Sequence, residues 1–451
     1  MAAKNINDPY TNPAYRWYVI SILALAYAVS YIDRMIISLM VDPIKASFDL
    51  SDTQVSLLLG LSFAIFYATS AIPIAWLADR YNRRNIIMAG ITVWCLMTSL
   101  CGVVKSFPGL FIARMGVGLG EASLAPAGNS LIADAVHKKL LGIAIGFFNA
   151  GLAAGLGIAM IAGGYVLSWV GPSKIYNVPV FGELIGWQLT FVAVGLAGLV
   201  LAALMLTVKE PKRQTGPGQE STDNNATIRE TLAYFTQNKQ VYLCLYVGYA
   251  FAMIAFYGSG AWIPTLFTRV YEWDIASFGL YYGAIIAVVG VAGVLIGGSV
   301  CDALYKKGMK SAHWVVTIAS LSFLSLYGFL GIVDNGYIAV ALLGFGSFSA
   351  FAAAVSAPSV ILMMTPNRFR AMATALFFFT INMIGMILGP LLVAQLTDNF
   401  YKDPGKLGLS IAVVSIVGLI FALVTLWLGA KNYERRVEEI DSANINSIAS
   451  K

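Results

Sequence analysis

Charge is what this chain lacks most. Only 12% of its 451 residues are Asp, Glu, Lys or Arg, against 58% apolar or aromatic. A soluble domain is about one quarter charged, so a water-facing surface on a chain of this length is excluded. Histidine is scarce, with two residues, and the four cysteines (Cys95, Cys101, Cys244 and Cys301) are scattered in or beside apolar runs without ligand spacing. That excludes a His/Cys metal centre and reads as packing. There is no Walker loop, so no nucleotide site is expected, and no metal or other cofactor. No cleavable leader is expected either, since residues 1–16 are polar and a full-length apolar run follows them.

What the chain has instead is a succession of apolar runs of roughly 20 residues, the length a helix needs to cross a ~30 Å hydrocarbon core. Backbone groups find no partner in lipid, so a span is a helix or part of a closed barrel. These runs are continuously apolar rather than alternating, which excludes the barrel. Twelve spans are expected, near 17–40, 53–77, 86–105, 109–135, 140–169 and 187–208, then 239–267, 276–300, 312–333, 336–364, 370–397 and 407–430. Ser51 followed by Gln54 is a capping-box signature for the second. The expected fold is therefore an all-α membrane protein of two pseudo-symmetric six-helix bundles, residues 1–208 and 239–430. Between them, 209–238 reads as a cytoplasmic linker rich in Pro, Gly, Ser and Asn, and 431–451 as a cytoplasmic tail. Most of the 29 Lys and Arg residues fall on one side if both termini are cytoplasmic, as the positive-inside rule requires. The net charge of +6 is then a topology signal, and no nucleic-acid partner is expected.

The halves repeat. Ala75-x-x-x-Asp79-Arg80-Tyr81-Asn82-Arg83-Arg84 closes the second span, and Gly298-x-x-x-Asp302, with Lys306 and Lys307 after it, closes the eighth. Gly118-Leu119-Gly120 in the fourth span matches Gly344-Phe345-Gly346 in the tenth. Each pair lies about half the chain apart. Duplicated bundles place a substrate between the halves and work by alternating access.

With these residues the chain resembles the major facilitator superfamily. The Asp79 motif is similar to the signature of its loop 2–3, Asp302 to the weaker copy in loop 8–9, and Arg114-x-x-x-Gly118-x-Gly120 to its fourth-helix motif. Gly151, Gly155, Gly163 and Gly164 resemble its glycine-rich fifth helix. Ala75 and Asn82 stand where glycines are usual; Asn tolerates left-handed backbone, while Ala75 makes its helix contact less close. Tyr31-Ile32-Asp33-Arg34, Asp79-Arg80-Tyr81-Asn82-Arg83 and Gly118-Leu119-Gly120-Glu121-Ala122-Ser123 together resemble the spinster family of lysolipid and sphingosine-phosphate transporters. The resemblance implies a bacterial inner-membrane transporter, working as a monomer among membrane lipids, whose cargo is a small amphipathic anion. A carrier of a small organic anion or drug is the alternative, and a non-transporting lipid sensor a more distant one.

Four charges lie inside spans: Asp33 and Arg34 in the first, Arg114 and Glu121 in the fourth. A central charge costs at least ~2.5–3.5 kcal/mol, so such residues pair or line water. Arg114 and Glu121, seven residues apart, share a helical face roughly 10 Å apart. A neutral network is expected, Asp33 with Arg114 and Arg34 with Glu121, either as permanent bridges or as a protonation-sensitive cluster beside the substrate path. On the second reading Asp33, Glu121 and Arg114 carry proton coupling, the proton being the coupling ion, since a carboxylate's hold on a proton depends on the cation and water beside it. Arg34 and Glu121 would meet the substrate's polar head. From the other half come aromatics and small polar groups, of which Tyr249, Phe256, Trp262 and Asn382 are candidates for its apolar body. Core packing is the plainer role for each ring. At the cytoplasmic edge, Asp79, Arg80, Arg83, Asp134 and Asp302 are gating candidates. The resemblance implies that Asp79 meets the positive start of the eleventh helix near Arg370, and Arg83 is placed to reach Asp134. His137 and His313 are expected to be solvated. A channel would favour symmetric polar lining, whereas the charges sit in one half. An enzyme needs a catalytic constellation, and none surrounds Asp33 and Glu121.

Overall fold

A computed structural model of the chain describes residues 9–449 apart from 138–139, 180, 214–227 and 367–368. Its apolar runs are helices, and among the described residues eleven of them are single helices long and apolar enough to cross a membrane. In the first half these are Pro13–Leu39, Asp52–Arg80, Arg83–Val103, Leu141–Val170 and Gly186–Met205. In the second they are Lys239–Arg269, Ile275–Lys306, Ala312–Gly331, Gly336–Met364, Met372–Tyr401 and Pro404–Ile440. The remaining expected span, the fourth, is present but broken into Phe107–Glu121 and Leu124–Ala135.

The starts follow local chemistry. Asn12 caps the first span, with Pro13 at its first position. Ser51 and Gln54 form the reciprocal capping box, and Ser106 caps the fourth span with Pro108 behind it. Three widened π-type turns interrupt otherwise α-helical spans, at Leu57–Leu61 in the second and at Asn382–Met386 and Leu396–Tyr401 in the eleventh. Such turns re-aim the side chains that follow them.

Contacts divide the chain into two compact units. One holds residues up to Thr215 together with Glu272–Ala287; the other holds Gly216–Tyr271 and the residues from Val288 onward. In the first unit the fifth span lies close against the first. A Cβ added at Gly151 would sit 2.4 Å from the carbonyl oxygen of Ala24, and one at Gly155 would sit 2.6 Å from the Cα of Ala28. Only glycine permits that approach.

Two features depart from the sequence reading. An antiparallel hairpin, Ile175–Val178 with Gly182–Ile185, joins the fifth and sixth spans. The expected linker also contains a helix, Ile228–Gln237, on whose buried side Tyr234 stacks against Phe369 at 4.4 Å. Its aromatic pair, Tyr234-Phe235, gives it a face to bury, which the polar residues before it hide.

Candidate functional site

All four intramembrane charges belong to the first unit, and the fold brings them together. Asp33, Arg114 and Glu121 are each no more than 2% exposed. Arg34 donates from Nε to Glu121 Oε2 at 2.5 Å. Its guanidinium also lies over three rings: Tyr31 at 4.9 Å, Phe63 at 4.6 Å and Tyr67 at 4.4 Å from their centroids. Phe63 and Tyr67 are one helical turn apart on the second span and stack on each other at 5.2 Å. Each such cation–π contact contributes about 0.5–2 kcal/mol, the most where water is excluded. Arg34 is thus held by one carboxylate and an aromatic cage, and the cage was not visible among so many membrane aromatics.

The second expected pair does not form. Arg114 donates from Nη1 to the backbone carbonyl of Asp33 at 3.4 Å, not to its carboxylate. The Asp33 side chain turns instead to the third span, where the Thr98 hydroxyl donates to Oδ2 at 3.4 Å. The cause is helical geometry: at Asp33 the carbonyl faces the fourth span while the side chain faces the third. Three buried polar atoms in this cluster have no hydrogen-bond partner, Asp33 Oδ1, Arg114 Nε and Glu121 Oε1. Buried polar groups are nearly always satisfied, so these three open positions set the cluster apart from the packed core around it.

Glycines set its position. A Cβ at Gly118 would meet the carbonyl oxygen of Phe63 at 2.5 Å, and one at Gly120 the amide nitrogen of Trp94 at 2.6 Å. The Gly118-Leu119-Gly120 motif therefore seats the fourth span directly on the backbones of the second and third. Immediately afterward the helix breaks at Ala122-Ser123, where the Gly120 carbonyl accepts from both the hydroxyl and the backbone N–H of Ser123, at 2.8 and 3.3 Å. Gly90 makes room for that turn, since its Cβ would fall 1.9 Å from Ser123 Oγ. Glu121 is the last residue before the break.

At the linker end of the same unit, Arg83 is 2% exposed and bonds to Asp134, to Glu210 at 2.7 Å and to the carbonyl and hydroxyl of Ser130 at 3.0 and 3.1 Å. Glu210 also accepts from the Arg84 backbone N–H at 3.0 Å. Arg213 donates to the carbonyls of Ala78 and Tyr81. The start of the linker is therefore tied to the turn between spans two and three. Sequence reasoning found the Arg83–Asp134 contact but missed Glu210, which reads as an ordinary solvated linker residue. Arg80 lies over the Trp76 ring at 3.7 Å, and Asp79 is exposed.

Residues 23–390 match the model of the Major Facilitator Superfamily. The chain belongs to that superfamily. Members of the superfamily are transporters and generally not enzymes. This facilitator is 27% identical to an MFS-type efflux pump of Mycolicibacterium smegmatis, over 95% of each chain. It is 27% identical to protein spinster homolog 1 of Xenopus tropicalis, over 87% of this chain and 75% of that one. It is also 25% identical to a hexuronate transporter of Bacillus subtilis, over 84% and 88%. Among solved structures, a bacterial homologue of the human lysosomal transporter spinster, in an inward-facing unoccupied conformation, superimposes with a TM-score of 0.76. Its identity is 26%, covering 95% of this chain and 98% of that one.

In the second unit of the facilitator, the four candidate residues have different seats. Trp262 is fully buried and donates its indole N–H to the carbonyl of Pro390 at 3.0 Å, which makes it a tie between the seventh and eleventh spans. Tyr249 is buried against Phe377 at 5.1 Å. Phe256 is half-buried beside Tyr257, whose hydroxyl donates to Asn382 Oδ1 at 3.4 Å. Asn382 begins a π-type turn, so it and Phe256 keep accessible surface where Tyr249 and Trp262 keep little. Asp302 is exposed. His137 is exposed, but His313 is not solvated as expected: it is 8% exposed, near the start of the ninth span and 5.8 Å from the Tyr305 ring. The lysines that follow Tyr305 made that stretch look like open loop.

Proposed function

We propose that this facilitator is a secondary active transporter of an amphipathic anion, with cargo and proton linked through Arg34. The observation that carries the reading is Arg34 itself, bonded to one oxygen of Glu121 inside a cage of three rings. A guanidinium matches a carboxylate or phosphate in two-pronged fashion. A cargo head group arriving there competes with Glu121, while the rings offer apolar surface to the body behind it. Glu121, released from Arg34, is the group that takes or gives a proton, because a carboxylate's proton affinity follows its charge neighbours and its water. Asp33, with one open oxygen, is the second carboxylate of the relay, and Arg114 sets the local charge around it.

The similarity to spinster proteins supports a lysophospholipid or sphingosine-phosphate type of cargo. The similarity to a hexuronate transporter supports a second reading, a small sugar acid recognised by the same guanidinium. We place the protein in a bacterial inner membrane as a functional monomer with both termini cytoplasmic.

The test is uptake and binding in proteoliposomes, with lysophospholipids, sphingoid phosphates and sugar acids offered with and without a pH gradient. Glu121→Gln and Asp33→Asn are expected to abolish gradient-driven accumulation while cargo binding or downhill exchange persists. Full gradient-driven accumulation by the double variant would remove both residues from the coupling site and put the coupling elsewhere in the chain. Saturable uptake of sugar acids alone would decide for the second reading.

A further inference from the structure

We propose that the linker end of the second unit carries a binding site for the head group of an anionic phospholipid, separate from the transport cluster. A cavity of about 310 Å³ opens there, where the seventh span begins and the twelfth ends. Asn238, Lys239 and Gln240 line it from one side and Asn432, Arg435 and Arg436 from the other. Its lining is polar, with three cations against one carboxylate, Glu439. Arg436 is committed, bonding to Glu439 at 2.7 Å and to the Tyr234 hydroxyl at 3.1 Å, yet its Nε is buried without a partner. Lys239 and Arg435 make no ion pair among the described residues. The 31-residue seventh-span helix starts here without a side-chain cap, the Asn238 amide being turned back to the Tyr234 carbonyl at 2.9 Å. Its positive end adds to the attraction for an anion.

Depth and the neighbouring surface point to a lipid rather than a soluble anion. The twelfth span, Pro404–Ile440, has 37 residues, roughly 55 Å of helix against a hydrocarbon core of ~30 Å. Asn432 to Glu439 therefore stand at head-group level. Asn432, Arg435, Arg436 and Glu439 fall at i, i+3, i+4 and i+7, one stripe of the helix. The same stripe continues toward the membrane centre as Leu428 and Val424, 59% and 52% exposed. On the seventh span, one turn beyond Gln240, Leu243 is likewise exposed. A phosphate seated against Lys239 and Arg435 thus has apolar side chains directly below it along both helices, in the direction its acyl chains would run. Basic residues near a membrane surface attract anionic lipid.

The experiment uses the full chain in detergent, with bound lipid counted by native mass spectrometry during titration with phosphatidylglycerol or phosphatidylcholine. Phosphatidylglycerol is expected to be retained at least fivefold better, and the double variant Lys239→Gln/Arg435→Gln to lose that preference, while Lys310→Gln keeps it. A second arm needs no variant: phosphatidylglycerol with a photoreactive acyl chain is expected to label wild-type peptides containing Leu243 and Val424–Leu428. Equal retention of the two lipids, unchanged preference in the double variant, or labelling confined to other spans would each overturn the proposal. So would full displacement of the lipid by millimolar glycerol phosphate, which would mark a site for a soluble anion. None of these readouts depends on transport, so failure here leaves the proposed cargo untouched, and failure of the cargo assignment leaves this site standing.

Discussion

The Arg34–Glu121 pair makes a prediction that separates a bond from two independent buried charges. Removing one partner of a buried pair strands the other and costs about 3–5 kcal/mol, whereas removing both costs far less. Here the two losses are unequal. Glu121→Gln leaves Arg34 beside Tyr31, Phe63 and Tyr67, and three cation–π contacts recover part of the loss. Arg34→Gln leaves Glu121 with no bonded cation, and one of its oxygens has no partner even in the intact protein. For a unit of about 230 residues, 3 kcal/mol moves a melting midpoint by roughly 6–12 °C. Arg34→Gln is therefore expected to melt lower than wild type by about that amount and Glu121→Gln by clearly less. The double variant should lie above Arg34→Gln, although it carries one more change. Thiol-reactive dye melting in detergent, or loss of the monodisperse peak after heating, measures all four proteins. Strict additivity, with the double variant falling by the sum of the two singles, would refute the pair as a coupled element.

Three further outcomes follow from the same geometry. Gly118→Ala and Gly120→Ala push a methyl into backbone at 2.5 and 2.6 Å and should each cost ~1–3 kcal/mol. Gly142→Ala, whose methyl meets nothing within 4 Å, should be neutral or slightly stabilising by the same melts. Glu210→Gln weakens the tie from Arg83 and the Arg84 amide, so trypsin should cut after Lys212 or Arg213 several-fold faster in a timed digest, and an unchanged rate would show the tie to be inert. Arg34→Ala should weaken binding of an anionic cargo more than tenfold while sparing a neutral analogue, with Arg34→Lys rescuing in part, as isothermal titration of both ligands would show.

The spans were legible because lipid leaves no alternative to a continuous apolar helix, and the capping box at Ser51 was legible because it is local. The cluster could be read for a related reason: charge in hydrocarbon is so costly that Asp33, Arg34, Arg114 and Glu121 had to be near one another. Which atom met which could not be read. Whether Arg114 finds the carboxylate of Asp33 or its carbonyl depends on the rotation of the first helix, and sequence spacing does not fix that. The cage around Arg34 escaped for want of contrast, in a chain with 25 phenylalanines and 22 tyrosines. Glu210 and His313 were misjudged for the opposite reason, since polar residues beside lysines and prolines look solvated until the chain folds over them.

The break after Glu121 has a bearing on biogenesis. A translocon selects segments by apolar content, read over residues 107–135 without regard to whether their helix is continuous. The turn at Ala122-Ser123 is then a product of the later stage, when inserted helices pack against one another, and it is Gly90 on a neighbouring helix that admits it. A larger residue at Gly90 would therefore leave every span threaded with its proper orientation and every loop on its proper side. The fault would appear only at assembly, as a correctly inserted protein whose central acid has no seat, and quality control that reads topology would pass it.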